Sequence, residues 1–124
     1  MNKKKVLLVD DEEELVLAVR ARLEANGYEV LTAYDGEEGL KKAREIPSLN
    51  LVILDLMLPK MDGYKVCATL KHDERYQHLP VLLFTARAGQ EDQRVGLEDC
   101  RADSYLTKPF DAQTLLKRVE ELTQ

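Results

Sequence analysis

The stretch LVILD at residues 51–55 is a continuous apolar run that ends at a carboxylate. The stretch VLLVDD at residues 6–11 has the same form and ends at two aspartates, while VLLFT at residues 81–85 ends at a hydroxyl. Continuous leucine and β-branched runs of this length favour strands that are buried on both faces, as in a parallel sheet. The three runs therefore predict three strands of such a sheet.

Segments of helical period separate these runs. Residues 15–23 place leucine and valine on one face of a helix, and the pair Asn26-Gly27 predicts where that helix ends. Four further helical segments follow, of which the one around residues 95–97 is the weakest. Weaker strands are predicted at residues 30–33 and 104–106, the second at an edge of the sheet.

Five β-α units in this length predict an α/β fold: a doubly wound, five-stranded parallel sheet of the flavodoxin-like (βα)5 type with helices on both faces. We expect the strand order 2-1-3-4-5 and a single domain over residues 1–124. In such sheets the binding site lies outside the carboxyl ends of the strands, where strands one and three meet.

The composition limits the classes of function. A net charge of −5 argues against direct nucleic-acid binding, which needs clustered Lys and Arg. The first apolar run is too short for a signal peptide or a membrane span, so we expect a cytoplasmic protein with no membrane contact. Cys67 and Cys100 lack zinc or disulfide spacing, which predicts two buried, reduced thiols.

Polar and charged side chains follow the predicted strands at the edge where the site is expected. They are Asp10, Asp11, Asp55, Thr85 and Lys108. Two carboxylates about 4 Å apart repel by roughly 4 kcal/mol at an effective dielectric near 20, so such a group needs a cation. Mg²⁺ prefers carboxylate oxygens and completes its shell with water and phosphate. A carboxylate nucleophile, a metal and two donors are the components of phosphoryl transfer.

The chain resembles the receiver domain of bacterial response regulators over essentially its whole length. Four stretches carry the resemblance, each at the end of its strand: VLLVDD (6–11), VILDLMLPKMDG (52–63), LFTA (83–86) and YLTKPF (105–110). Each stretch alone is a weak signal, but the four in this order are highly specific.

The resemblance implies a set of roles in the pocket. Asp55 resembles the residue that is phosphorylated, as an acyl phosphate. Asp10 and Asp11 resemble the acidic pair that binds Mg²⁺ together with Asp55 and the backbone carbonyl of Met57. Lys108 resembles the lysine that contacts the phosphoryl group.

The resemblance also implies a switch. Thr85 resembles the hydroxyl that bonds the phosphoryl group, and Tyr105 resembles the aromatic residue that turns inward when this hydroxyl moves. The Lys108–Pro109 peptide bond is expected to be cis. The surface formed by helix four, strand five and helix five is then expected to change.

The implied partners are a sensor histidine kinase or a phosphotransfer protein as donor, and a downstream protein or output domain as target. The protein is expected to be a signalling module rather than an enzyme, although it catalyses its own phosphorylation and dephosphorylation. It is expected to be a monomer or a phosphorylation-dependent dimer.

Other interpretations of these residues remain open. Asp11 can instead cap the first helix, with Glu14 closing a capping box, and Asp55 can be a polar strand end. The chain can be a receiver-like docking module that is never phosphorylated. A flavodoxin-like cofactor binder is disfavoured, because the five acids at residues 10–14 would repel a phosphate. His72 and His78 are interpreted as surface residues.

Three positions depart from, or vary within, the family pattern. Arg101 occupies a position that is commonly glycine, in a segment about one residue longer than usual, which changes the backbone freedom beside the expected signalling surface. Met57 and Arg87 lie two positions beyond Asp55 and Thr85, where they flank the expected path of attacking water. A hydrophobic side chain and a long cation there can slow or redirect hydrolysis.

Overall fold

Five parallel strands form one sheet in the order β2-β1-β3-β4-β5 in the computed structural model, which describes residues 3–87 and 89–124. The predicted fold class and strand order are confirmed, and β5 lies at an edge as expected. The two weaker strands are each one residue longer than predicted. The strands are β1 (Lys5–Val9), β2 (Glu29–Ala33), β3 (Leu49–Leu54), β4 (Val81–Thr85) and β5 (Ser104–Thr107).

The helices follow the strands in alternation. They are α1 (Glu13–Ala25), α2 (Gly36–Glu45), α3 (Gly63–Lys71), α4 (Gln90–Arg94) with a π-helical continuation (Val95–Asp99), and α5 (Ala112–Leu122). Three of them begin at an aspartate whose carboxylate accepts a backbone hydrogen bond, which satisfies an otherwise unpaired amide: Asp35, Asp62 and Asp111.

The alternative role of Asp11 as the cap of α1 is wrong. The N-cap residue is Glu12, and within the described residues no side chain makes a cap hydrogen bond there. The backbone amide of Glu12 instead donates to Oδ1 of Asp10 at 2.9 Å. The end of α1 follows the prediction, since Asn26 is its C-cap and Gly27 has a φ of 91°.

Apolar side chains cover both faces of the sheet, as the continuous strand runs predict. Leu7, Leu54 and Leu83 contribute to a cluster beneath α2 and α3, whereas Leu8 and Ile53 contribute to a cluster beneath α1 and α5. Alternate residues of one strand thus enter opposite clusters, because successive side chains point to opposite faces. The helices therefore enclose the sheet and leave its carboxyl edge as the place for polar groups.

The two cysteines are free and buried, as predicted. Sγ of Cys67 donates to the backbone oxygen of Cys100 at 3.4 Å. Burial raises the pKa of the Cys67 thiol to about 12, so the thiol is protonated and unreactive near neutral pH. His72 and His78 are exposed, as expected. Within the described residues, no helix has the length and apolar character that crossing a membrane requires.

The segment between α4 and β5 contains Arg101 and the additional length that the sequence indicates. The amide of Cys100 donates to the carbonyl of Val95 at 2.9 Å, a five-residue spacing that defines the π-helical turn. A π turn accommodates an additional residue within a helix, consistent with the longer segment that the sequence indicates. Arg101 follows with a φ of 62°, in the left-handed region where a side chain carries a steric cost.

Replacing Arg101 by glycine should relieve this cost. We expect Arg101→Gly to raise the free energy of unfolding by about 0.5–1 kcal/mol, because the relief of left-handed strain exceeds the added entropy of the unfolded chain. Urea unfolding measures the change. Arg101→Ala is the matched control, since it removes the same side chain but keeps the Cβ atom; an equal gain in both variants would contradict the strain interpretation.

Candidate functional site

Three carboxylates meet at the carboxyl edge of the sheet. Val9 pairs with Leu54 in the register of β1 and β3, so the next residues, Asp10 and Asp55, lie side by side. Oxygen atoms of Asp10, Asp11 and Asp55 all lie within 4.8 Å of one another. Asp10 and Asp55 are buried, whereas Asp11 is exposed. The strand register therefore brings together the three aspartates that the sequence singled out.

Lys108 supplies positive charge to this group from the loop that follows the edge strand β5. Its Nζ donates to Oδ2 of Asp10 at 2.7 Å and to Oδ2 of Asp55 at 3.2 Å. The backbone helps to set this position, because the amide of Lys108 donates to the carbonyl of Thr85 at 2.8 Å, directly beyond the pairing of β4 with β5. The Lys108–Pro109 peptide bond is cis, as expected.

Burial and ion pairing act in opposite directions on these groups. Burial raises the pKa of the Asp10 carboxyl above its ordinary value, despite the hydrogen bonds from Lys108 and the Glu12 amide. Burial by itself lowers the pKa of Lys108, but its hydrogen bond to Asp10 and the charge of Asp55 raise it overall. Lys108 is therefore a cation at neutral pH. One of the carboxylates that bind it, Asp10, is costly to keep charged because it is buried.

An aromatic ring completes the surroundings of the ammonium. Nζ of Lys108 lies 4.8 Å from the centroid of the Phe84 ring, within the range of a cation–π contact. Phe84 is fully buried in β4 and also packs against Phe110, with ring centroids 5.8 Å apart. The Lys108 ammonium thus lies between the buried Phe84 ring and the carboxylates, which limits the positions that it can take.

The loop that carries Met57 is held close to Asp55 by a glycine. The amide of Met57 donates to Oδ1 of Asp55 at 3.2 Å. Gly63, the first residue of α3, donates to the carbonyl of Leu56 at 2.9 Å, and a Cβ atom at Gly63 would overlap the carbonyl oxygen of Asp55. Any other residue would therefore displace the loop beside the carboxylate. The side chain of Met57 is exposed at the rim.

Thr85 and Tyr105 are joined through the backbone of one residue, Arg87. The amide of Arg87 lies 3.4 Å from Oγ1 of Thr85 and donates to it, while the carbonyl of Arg87 accepts from the Tyr105 hydroxyl at 2.7 Å. Thr85 is fully buried and Tyr105 is largely buried. Burial raises the pKa of the Tyr105 hydroxyl, so it remains protonated and donates.

The hydroxyl of a second tyrosine, Tyr64, connects the start of α3 with α4. The hydroxyl of Tyr64 lies 3.1 Å from the backbone oxygen of Asp92 and 3.3 Å from its Oδ1. Nη1 of Arg87 lies 3.6 Å from the same carboxylate oxygen, at a largely exposed position. The Arg87 side chain is therefore directed toward α4 by Asp92.

Three residues at the site were not identified from the sequence. Glu12 lies 3.2 Å from Nζ of Lys108, Phe84 lies beneath that ammonium, and Tyr64 reaches across to α4. The position of Glu12 directly after two aspartates was an available signal. The other two look like ordinary core and helix residues, and only the folded arrangement distinguishes them.

Removing the ammonium should destabilise the metal-free protein. We expect Lys108→Met to lower the free energy of unfolding in chelator by about 2–4 kcal/mol, because two buried carboxylates lose their shared counter-charge. The double variant Lys108→Met/Asp10→Asn should recover part of this loss, since one of the two charges is then absent. Urea unfolding of both variants measures the coupling; a double variant no more stable than the single one would refute it.

The comparisons with known proteins agree on one family. The family model described as the response regulator receiver domain matches residues 6–120. The chain is 45% identical over 119 residues to the alkaline phosphatase synthesis transcriptional regulatory protein PhoP of Bacillus subtilis, covering 96% of the chain and 48% of that protein. It is 45% identical over 121 residues to the response regulator PleD of Caulobacter vibrioides, covering 97% of the chain and 26% of that protein.

Solved structures show the same likeness. The chemotaxis response regulator CheY4 of Vibrio cholerae superposes with a TM-score of 0.90 at 33% identity, covering 98% of this chain and 99% of that one. The chain spans about half of PhoP and about a quarter of PleD, so the activities and partners of those whole proteins do not transfer to it directly. The match over residues 6–120 places the chain in the response regulator receiver domain family, a class of two-component signalling modules for which phosphoryl acceptance and control of an output are typical.

Proposed function

We propose that Asp55 accepts a phosphoryl group from a partner histidine kinase or phosphotransfer protein, in a reaction that depends on Mg²⁺. The observation that carries this proposal is the convergence of three carboxylates and the Lys108 ammonium at one edge of the sheet. The proposed result is a change in the surface of α4, β5 and α5 that controls a partner or an output domain.

The proposed magnesium site consists of Asp10, Asp11 and Asp55 with the backbone carbonyl of Met57. Oxygen atoms that share one Mg²⁺ lie roughly 3–4 Å apart, since each lies about 2 Å from the ion. The three carboxylates lie within 4.8 Å of one another, so the donor set fits a small, hard cation. The ion would neutralise charge on the carboxylates and on the phosphoryl oxygens.

The chemistry proposed for the chain's own residues is a displacement at phosphorus. An oxygen of Asp55 attacks the phosphorus, the bond from phosphorus to the donor breaks, and the donor leaves with its electron pair. Lys108 and the Thr85 hydroxyl donate to the transferred oxygens. Since this machinery is intrinsic to the chain, it is also proposed to act with small phosphodonors and to hydrolyse the acyl phosphate.

Support for the proposed switch comes from the contacts of Thr85 and Tyr105. The Arg87 peptide groups touch both hydroxyls, so a movement of Thr85 toward a phosphoryl group would disturb the bond that holds Tyr105. A two-state equilibrium shifts only when the ligand contacts the two states differently. The two states would differ in this way if the hydrogen bond between Arg87 and the Thr85 hydroxyl is present in one and lost in the other.

Phosphorylation-dependent dimerisation stays a prediction.

The phosphoacceptor assignment predicts a mass change. Incubation with Mg²⁺ and acetyl phosphate should add one phosphoryl group to the intact protein, because the pocket supplies both the nucleophile and the donors. Asp55→Asn should show no addition, since an amide is a poor nucleophile, and chelator should abolish it in the parent. Intact-protein mass spectrometry checks this. Normal labelling of Asp55→Asn would exclude Asp55, whereas an unlabelled parent would favour the docking module.

The metal assignment predicts a change in thermal stability. Mg²⁺ should stabilise the parent, by about 2.7 kcal/mol at 100 times its dissociation constant. Asp11→Asn should melt higher than the parent in chelator, because one repelling charge is removed, and should gain less from Mg²⁺.

Glu13→Gln is the control for this experiment, because it removes the same charge from an exposed position two residues further on. Calorimetry with and without Mg²⁺ separates the two variants. If Mg²⁺ raises the melting temperature of Asp11→Asn as much as that of Glu13→Gln, Asp11 is not a ligand of the ion.

A further inference from the structure

Three carboxylates, and not only the two buried ones, share the Lys108 ammonium. Its Nζ lies 2.7 Å from Asp10, 3.2 Å from Asp55 and 3.2 Å from Oε1 of Glu12. An ammonium has three N–H groups, and here there is one acceptor for each. A phosphoryl oxygen can therefore receive a hydrogen bond from Lys108 only if one of these contacts is given up.

The backbone directs Glu12 toward the pocket. Glu12 is the N-cap residue of α1, with φ −85° and ψ 97°, and its amide donates to Oδ1 of Asp10 at 2.9 Å. Its side chain makes no cap hydrogen bond within the described part of the chain, which leaves the carboxylate available to Lys108. Glu13 and Glu14 follow in the first turn of the helix, and no ion pair to Lys108 is found for either among the described residues.

We propose that Glu12 is a positioning residue, which holds Lys108 in the resting pocket and releases it when a phosphoryl group reaches Asp55. This inference rests on the proposed function. The Glu12 side chain is 64% exposed, against 0% for Asp10 and 6% for Asp55. An exposed ion pair is weak and screened by solvent, whereas breaking a buried one leaves an uncompensated charge. The contact with Glu12 is therefore the one that Lys108 gives up at the lowest cost.

The same contact opposes the arrival of the donor. The Glu12 carboxylate competes with the phosphoryl oxygens for Lys108, and its negative charge repels an approaching phosphate dianion at the exposed rim. Neutralising Glu12 without changing its shape should therefore speed phosphorylation. The gain should be larger for a more highly charged donor, and it should shrink as salt screens the rim.

The test compares Glu12→Gln with Glu13→Gln in the full chain. Both variants remove one negative charge at the N-terminus of α1, so the loss of a favourable helix-dipole interaction is shared. Intact mass follows the rate of phosphorylation of each variant and of the parent, with saturating Mg²⁺. Acetyl phosphate serves as the highly charged donor and phosphoramidate as the less charged one, each at low and at high salt.

We expect Glu12→Gln to react about two- to fivefold faster than the parent with acetyl phosphate at low salt, the range that an exposed ion pair allows. The gain should be smaller with phosphoramidate and at high salt, and Glu13→Gln should react at close to the parent rate. A purely structural role for Glu12 would not produce this dependence on donor charge and salt.

Equal rates for the two variants, or a slower Glu12→Gln, would overturn the role of Glu12 while leaving Asp55 as the acceptor. Labelling that persists at the normal rate in Asp55→Asn would instead overturn the proposed function. A parent that takes up no phosphoryl group would overturn both.

Discussion

The carboxyl edge of the sheet depends on the ion pairs that the Lys108 ammonium makes with Asp10 and Asp55. Asp10 and Asp55 are neighbours because their strands are paired in register, and both are buried. Two desolvated carboxylates at this distance need a positive charge, and the chain brings it from beyond β5 through the hydrogen bond of Lys108 to the Thr85 carbonyl. The pairing of the strand ends thus holds this charge cluster together.

Most of this arrangement follows from patterns that are local in the sequence. Apolar runs that end in Asp or Thr predict strands with polar carboxyl ends, and the parallel topology collects those ends at one edge. This reasoning predicted the strand order, and it predicted one edge for Asp10, Asp11, Asp55 and Lys108, which the structure brings together. The unusual segment at Arg101 was found in another way, because arginine stands there where the family commonly has glycine, and Arg101 does lie in the left-handed region that glycine enters without steric cost.

The remaining features depend on side-chain directions that no local pattern encodes. Asp11 was a reasonable candidate for the cap of α1, but the Glu12 amide bonds to Asp10 and the helix begins one residue later. The same shift directs Glu12 toward Lys108. In the sequence, Phe84 is one apolar residue among several in a buried strand. Its contact with the Lys108 ammonium depends on the folded position of the loop after β5, which the sequence pattern does not give. The π-helical turn likewise depends on an additional residue whose location within the segment the sequence does not specify.

The same packing that holds the pocket also connects it to the neighbouring surface. Gly63 fits against the carbonyl of Asp55, and the next residue, Tyr64, reaches Asp92 at the start of α4. On the other side of the pocket, Arg87 contacts Thr85 and Tyr105 through its two peptide groups. α4 is therefore linked to the pocket from α3, through the Tyr64–Asp92 hydrogen bond, and from the end of β4, through the Arg87–Asp92 ion pair. Under the proposed function, a phosphoryl group on Asp55 would act on both connections at once. The connection through α3 begins at Gly63, which lies against the backbone of Asp55. The connection through Arg87 begins at the Thr85 hydroxyl, which is proposed to bind the phosphoryl group.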